Sequence, residues 1–148
     1  MPITISEAQT IIDGAIAKAK ELNVKVTVAV VDGGGKIVAV NKMDGSHWAG
    51  TYGAIGKAVG ASAFGRPTGE MQDQAFSPTP SGVRERSGGE MILGQGGIPI
   101  NRDGFIEGGC GVGGSIPPQD EECARAGVVS LMGDDYVQSI YDLSLIHI

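Results

Sequence analysis

The sequence predicts an α+β domain: an antiparallel sheet of about five strands flanked by helices. Three observations carry this. Val24, Val26, Val28 and Val30 alternate with Lys25, Thr27 and Ala29, the two-residue period of a strand. The turn Asp32-Gly33-Gly34-Gly35 leads into a second apolar run, Ile37-Val38-Ala39-Val40, so the glycines close a hairpin. Helical periodicity lies on both sides of this hairpin, which predicts helices packed on an antiparallel sheet.

The elements follow in order. Ser6 with Gln9 has the spacing of a capping box, and Ala8, Ile11, Ile12, Ala15, Ile16, Ala19 and Leu22 form one helical stripe ending near Asn23. After the hairpin, Met43-Asp44-Gly45 reads as a sharp turn into a helix over 48–64. There Trp48, Tyr52, Ile55 and Val59 share a stripe beside Ala54, Ala58 and Ala61. Gly50, Gly53, Gly56 and Gly60 interrupt this helix, each at up to about 1 kcal/mol relative to Ala. Their spacing marks a face that another backbone approaches closely, either the sheet or a second subunit. Residues 65–90 are irregular, with a short helix at 68–75, and so long a connection covers a site or an interface. Strands follow at 90–93, 97–101 and 105–112, the last two joined by an Arg102-Asp103-Gly104 turn. Pro117 and Pro118 followed by Asp120, Glu121 and Glu122 start a final helix running to about residue 131.

The chain is 148 residues long, 41% hydrophobic but only 5% aromatic, with 25 glycines, so its core is built from Val, Ile and Ala. A formal charge of −6 with scattered basic residues argues against a nucleic-acid partner. No apolar run approaches the roughly 20 residues of a membrane span, and Met1-Pro2-Ile3-Thr4 does not read as a secretion signal. A cytoplasmic location is therefore expected, with Cys110 and Cys123 reduced and packed, since they fit no metal or redox spacing. Leu143-Ser144-Leu145-Ile146-His147-Ile148 matches the translation of a common sequencing adapter. A metagenomic gene fragment is the expectation, with a single native domain over 1–142 and a non-native tail over 143–148. His47 is then the only native histidine.

Nucleotide motifs fail on context. Asp32–Gly35 precedes a strand, whereas a dinucleotide fold needs a helix N-terminus there. Gly56-Lys57 lacks the rest of a P-loop. The run Gly108–Gly114 around Cys110 reads either as tight strand packing or as an anion-holding loop.

Five blocks occur in one order: Ala29-Val30-Val31-Asp32-Gly33-Gly34-Gly35, Met43-Asp44-Gly45, Phe64-Gly65-Arg66-Pro67-Thr68, Gly96-Gly97-Ile98-Pro99-Ile100 and Gln119-Asp120-Glu121-Glu122-Cys123-Ala124. Through them the chain resembles, over about residues 3–132, the GlcG/HbpS-like family, which includes the C-terminal domain of PduO-type proteins. The resemblance implies a profilin-like or roadblock-like α-β-α sandwich, assembly as a homo-oligomer, and a haem ligand in some members. It supplies no catalytic motif to carry over.

The expected function is binding of a small ligand, haem or a related tetrapyrrole first. His47, where the hairpin exit meets a helix, is the candidate iron ligand or proton-transfer group, against the alternative of an exposed helix-end histidine. Arg66 is the candidate partner for a propionate or other carboxylate, or else forms an internal ion pair. Trp48, Tyr52, Glu90 and Cys110 complete the ligand-binding set. The pocket is expected between the 43–52 turn, the 65–90 loop and the glycine-rich end of the last strand. Two rival readings use the same residues. One is an enzyme acting on a small organic acid or carbonyl compound, with His47 as acid/base and Arg66 holding a carboxylate. The other is a structural assembly protein built through the glycine-striped helix.

Overall fold

The computed structural model describes residues 2–146, with side chains described as far as Asp142. Helix α1 (Ile5–Glu21) leads into the hairpin β1 (Thr27–Asp32) and β2 (Ile37–Lys42), then helix α2 (Ala49–Phe64). A 3-10 helix (Thr68–Gln74) and helix α3 (Pro78–Arg86) fill the long connection. The hairpin β3 (Gly97–Arg102) and β4 (Phe105–Gly113) precedes helices α4 (Pro117–Met132) and α5 (Asp134–Ile146). The expected tail lies within and beyond the end of α5; its side chains, including His147, fall outside the described residues. Among the described residues no helix is long and apolar enough to cross a membrane.

The sheet has four antiparallel strands in the order β2-β1-β4-β3, not five. The sequence predicts residues 90–93 as the fifth. Their alternation is real, with Met91 and Leu93 buried and Ile92 41% exposed, but they pack on a helix. The Ile92 amide donates to the Gly56 carbonyl of α2 at 2.9 Å, so this strap has no strand partner.

Two apolar layers form, one on each face of the sheet. Ile11, Ile12 and Ala15 of α1 meet Cys123, Ala124 and Val128 of α4 over Val28, Val30, Ile98, Ile100, Cys110 and Val112. On the other face Ala29 and Val31 meet Ala54, Ala58 and Val59 of α2, with Met71, Ala75, Met91 and Leu93 from the long connection. The helix α1 begins earlier than the sequence suggests. Thr4, not Ser6, is the cap: its Oγ1 accepts the Glu7 amide at 3.0 Å and its own amide donates to Glu7 Oε1 at 3.1 Å.

The glycines of β4 explain how α2 lies so low on the sheet. A Cβ added to Gly109, Gly111 or Gly113 would overlap the carbonyl oxygens of Ala58, Ala54 and Gly50 respectively. These alternate positions face α2, while Cys110 and Val112 face the other layer. The run is thus tight packing and not an anion loop. The glycines of α2 divide the same way. Gly50 meets Gly113 and Gly114 of the sheet side, whereas Gly56 and Gly60 meet Ile92 and Leu93 of the strap.

Candidate functional site

The turn that delivers the N-terminus of α2 is built locally. Gly45 takes φ 81°, and the Ser46 amide and hydroxyl both donate to the Met43 carbonyl, at 3.1 and 2.7 Å. His47 and Trp48 then enter the first turn, where the Gly50 amide donates to His47 O. The inner face of α2 is largely glycine and alanine, with Lys57 among them, and the aromatic side chains at its N-terminal end point outward. Trp48 and Tyr52 are 74% and 69% exposed, and their rings meet edge to face with centroids 5.8 Å apart.

Below Tyr52 lies a groove of about 330 Å³. Its helix wall is Tyr52, Ile55, Gly56 and Val59; its second wall is Gly35 and Ile37 from the first hairpin. The strap closes it with Gly89, Glu90 and Ile92. Gly56 sets the wall spacing, since a Cβ there would come within 2.6 Å of the Ile92 side chain. A second cavity of about 310 Å³ adjoins through Gly35, Val59 and Glu90, and is bounded by Lys36, Ser62, Val83 and Ser87. The Asp32–Gly35 turn beside it holds no phosphate cradle. Asp32 Oδ1 accepts the amides of Gly34 and Lys36 at 2.9 and 3.0 Å, which closes the turn on itself.

The structure brings together Tyr52 and Glu90, with Trp48 one turn above. The others lie elsewhere. His47 is exposed and sits on the α4 side of α2, where its charge acts on Asp120. Arg66 lies past the far end of α2, ion-paired with Glu70 at 3.9 Å. With 16 residues at about 1.5 Å each, α2 holds its two ends roughly 24 Å apart. His47 and Arg66 therefore cannot grip one small acid, which removes that pairing from the enzyme reading and the pocket that was to contain both. Cys110 is sealed in the core between sheet and α4, and burial pushes its thiol up to about 12, so it does not reach the groove. Met43 is packed against the same core. Arg84 lies over the Phe76 ring at 5.2 Å, away from the groove.

One polar pair escapes the sequence reading altogether. Lys57 is 9% exposed and Asp120 2%. Lys57 Nζ donates to Asp120 Oδ2 and to the Val112 carbonyl, both at 3.0 Å. Asp120 Oδ1 accepts the Ser115 amide at 2.9 Å. Burial raises the Asp120 carboxyl above its ordinary range, opposed mainly by Lys57. The available signal was Lys57 itself, a charge standing within the inward stripe of Ala54, Ala58 and Ala61. Among the described residues no cluster of three or more His, Cys, Asp or Glu could hold a bare metal ion.

Comparison with known proteins agrees with this architecture. A family model described as haem degrading protein HbpS-like matches residues 3–129. An uncharacterised 15.0 kDa protein from the dhaT-dhaS intergenic region of Citrobacter freundii is 30% identical over 125 residues, covering 83% of this chain and 87% of that protein. A double mutant of HbpS from Streptomyces reticuli superposes with TM-score 0.79 at 26% identity, covering 88% of each chain. The haem complex of PduOC superposes with TM-score 0.80 over 89% of this chain and 96% of that one; at 24% identity the likeness is one of fold.

Proposed function

The chain belongs to the HbpS-like family, and from that premise we propose that it is a small-ligand-binding protein whose ligand is haem or a related tetrapyrrole. The observation that carries this reading is the groove beside α2: apolar walls from Ile37, Ile55, Val59 and Ile92, with the oxygen donors Tyr52 and Glu90 at its edge. Ligand sites have this make-up, a concave apolar surface with a few placed polar groups. The donor chemistry suits the group as well, because phenolate and carboxylate oxygens are hard donors matched to ferric iron. Bound there, a haem would supply iron-centred redox or ligand-binding chemistry. The chain's own part is to enclose the macrocycle's apolar face and keep water from it.

The proposal extends to self-association, as a homo-oligomer in the cytoplasm. Its support is the family and the large apolar side chains exposed away from the groove, Phe76, Phe105 and Ile116 among them. Titration with haemin tests the ligand. A saturable Soret shift is expected, and a spectrum that is only the sum of protein and free haemin overturns the reading. Light scattering on the purified protein tests the assembly; a monomer mass at all concentrations overturns that part.

A further inference from the structure

We infer that the protein's axial ligand to a bound haem iron is the phenolic oxygen of Tyr52, and that His47 takes no part. This rests on the haem reading of the groove and names the ligand within it.

Position comes first. Tyr52 lines the groove, whereas His47 does not and stands near Asp120 instead. His47 lies in the turn before α2 begins at Ala49, whereas Tyr52 stands on the helix itself. Tyr52 shares its helical stripe with Ile55 and Val59, the apolar wall a macrocycle would lie against, and is the oxygen donor that α2 offers to the groove.

Availability comes second. The Tyr52 hydroxyl has no hydrogen-bond partner among the described residues, so ligation breaks no existing bond. Its ring is braced by the edge contact with Trp48, and it stands on a helix seated backbone-to-backbone on the sheet. A braced donor on a rigid element loses little freedom on binding. Glu90, the other oxygen donor, lacks this bracing. It follows Gly88 and Gly89, both in the left-handed region at φ 90° and 73° and both with open space around them.

The coordination step is simple to balance. The Tyr52 O–H bond breaks, its proton passes to solvent, and an oxygen–iron bond forms as the water or chloride on ferric haemin leaves. The iron keeps its oxidation state.

Absorption and resonance Raman spectra of the haemin complex test this in the full chain, with Tyr52→Phe and His47→Ala beside the parent. The parent is expected to show phenolate vibrations and a phenolate-to-iron charge-transfer band. Tyr52→Phe should lose both and weaken haemin binding by at least about tenfold, the scale on which metal-site partners act. The His47→Ala complex should match the parent in spectrum and within about twofold in affinity. Far-ultraviolet circular dichroism confirms that both variants are folded. Absence of phenolate vibrations in the parent, their survival in Tyr52→Phe, or their loss in His47→Ala each overturns the Tyr52 assignment while the haem reading stands. A parent that binds no haemin overturns both.

Discussion

Lys57 Nζ and Asp120 Oδ2 stand 3.0 Å apart, joining a helix on one face of the sheet to a helix on the other. The lysine passes the end of β3, where Gly96 leaves room: a Cβ there would lie 2.9 Å from Lys57 Cδ. Its second bond, to the Val112 carbonyl, fills an acceptor beyond the point where β3 pairing stops at Gly97 and Gly111. The pair is a cross-sheet tie, and its energetics depend on both partners being present.

Removing one partner therefore strands the other. Lys57→Met is expected to destabilise the protein by about 3–5 kcal/mol, the cost of an uncompensated buried charge. The double variant Lys57→Met/Asp120→Leu should recover most of that loss. Urea denaturation with a double-mutant cycle measures it, and additive losses would show that the two residues are uncoupled.

Acid titration should separate two kinds of carboxyl. Glu7 is held below its ordinary value of 4.5 chiefly by hydrogen bonding from Arg102, with the Thr4 amide adding to it. Its contribution is present above about pH 4.5 and is lost as pH falls through its folded value. Asp120 has the opposite sign. Its folded value lies above 3.8, so the folded state binds the proton more tightly, and stability from this group declines as pH rises from 3.8 through the folded value. Asp120→Asn should steepen the acid limb of stability against pH, and Glu7→Gln should flatten it. A limb unchanged in both variants would contradict these assignments.

Two glycine-to-alanine changes should differ sharply. Gly111→Ala puts a methyl into the Ala54 carbonyl and should cost about 1–3 kcal/mol through overpacking against backbone. Gly82→Ala, in α3 with nothing within 4 Å, should be neutral or stabilising by up to about 1 kcal/mol. Thermal denaturation of the pair gives the comparison, and equal shifts would mean that α2 does not rest on β4 as described.

Gly56→Ala probes the groove without touching the core. The added methyl meets the exposed side chain of Ile92, which can turn aside into the groove. Stability should change by less than about 1 kcal/mol, helix propensity offsetting the displaced contact. Haemin affinity should fall. An unchanged affinity would place the ligand elsewhere.

Cys110 should resist thiol reagents in the folded protein and react only on unfolding. It is fully buried, and desolvation holds its thiol near 12, so almost no thiolate exists at neutral pH. Rapid labelling by Ellman's reagent under native conditions would show the core to be open.

The parts of this fold that were legible in the sequence are those decided by neighbours along the chain. Asp32–Gly35 and Met43–Gly45 form the turns their residues demand, and the 97–101 and 105–112 runs became β3 and β4. The strap at 90–93 carried a true alternation, but periodicity does not say whether the buried side faces a strand or a helix. Helix α3 has no buried residue and so no stripe to detect. The site was half legible. Tyr52 and Glu90 meet because the strap folds back on α2, while His47 and Arg66, expected in one pocket, stand at opposite ends of a straight helix. Lys57 and Asp120, 63 positions apart, needed the three-dimensional crossing at the sheet edge to be seen as a pair.

The way α2 sits on β4 has a consequence for how this protein can change. Where α2 crosses β4 its inner surface is main chain against main chain, a close approach that depends on glycines and not on large side chains. The outward side chains are free of that duty. Substitutions at Trp48, Tyr52 or Ile55 can alter what the groove accepts while the seat beneath stays as it was. Such a division lets what the groove recognises change by substitution at little risk to the seat of the helix.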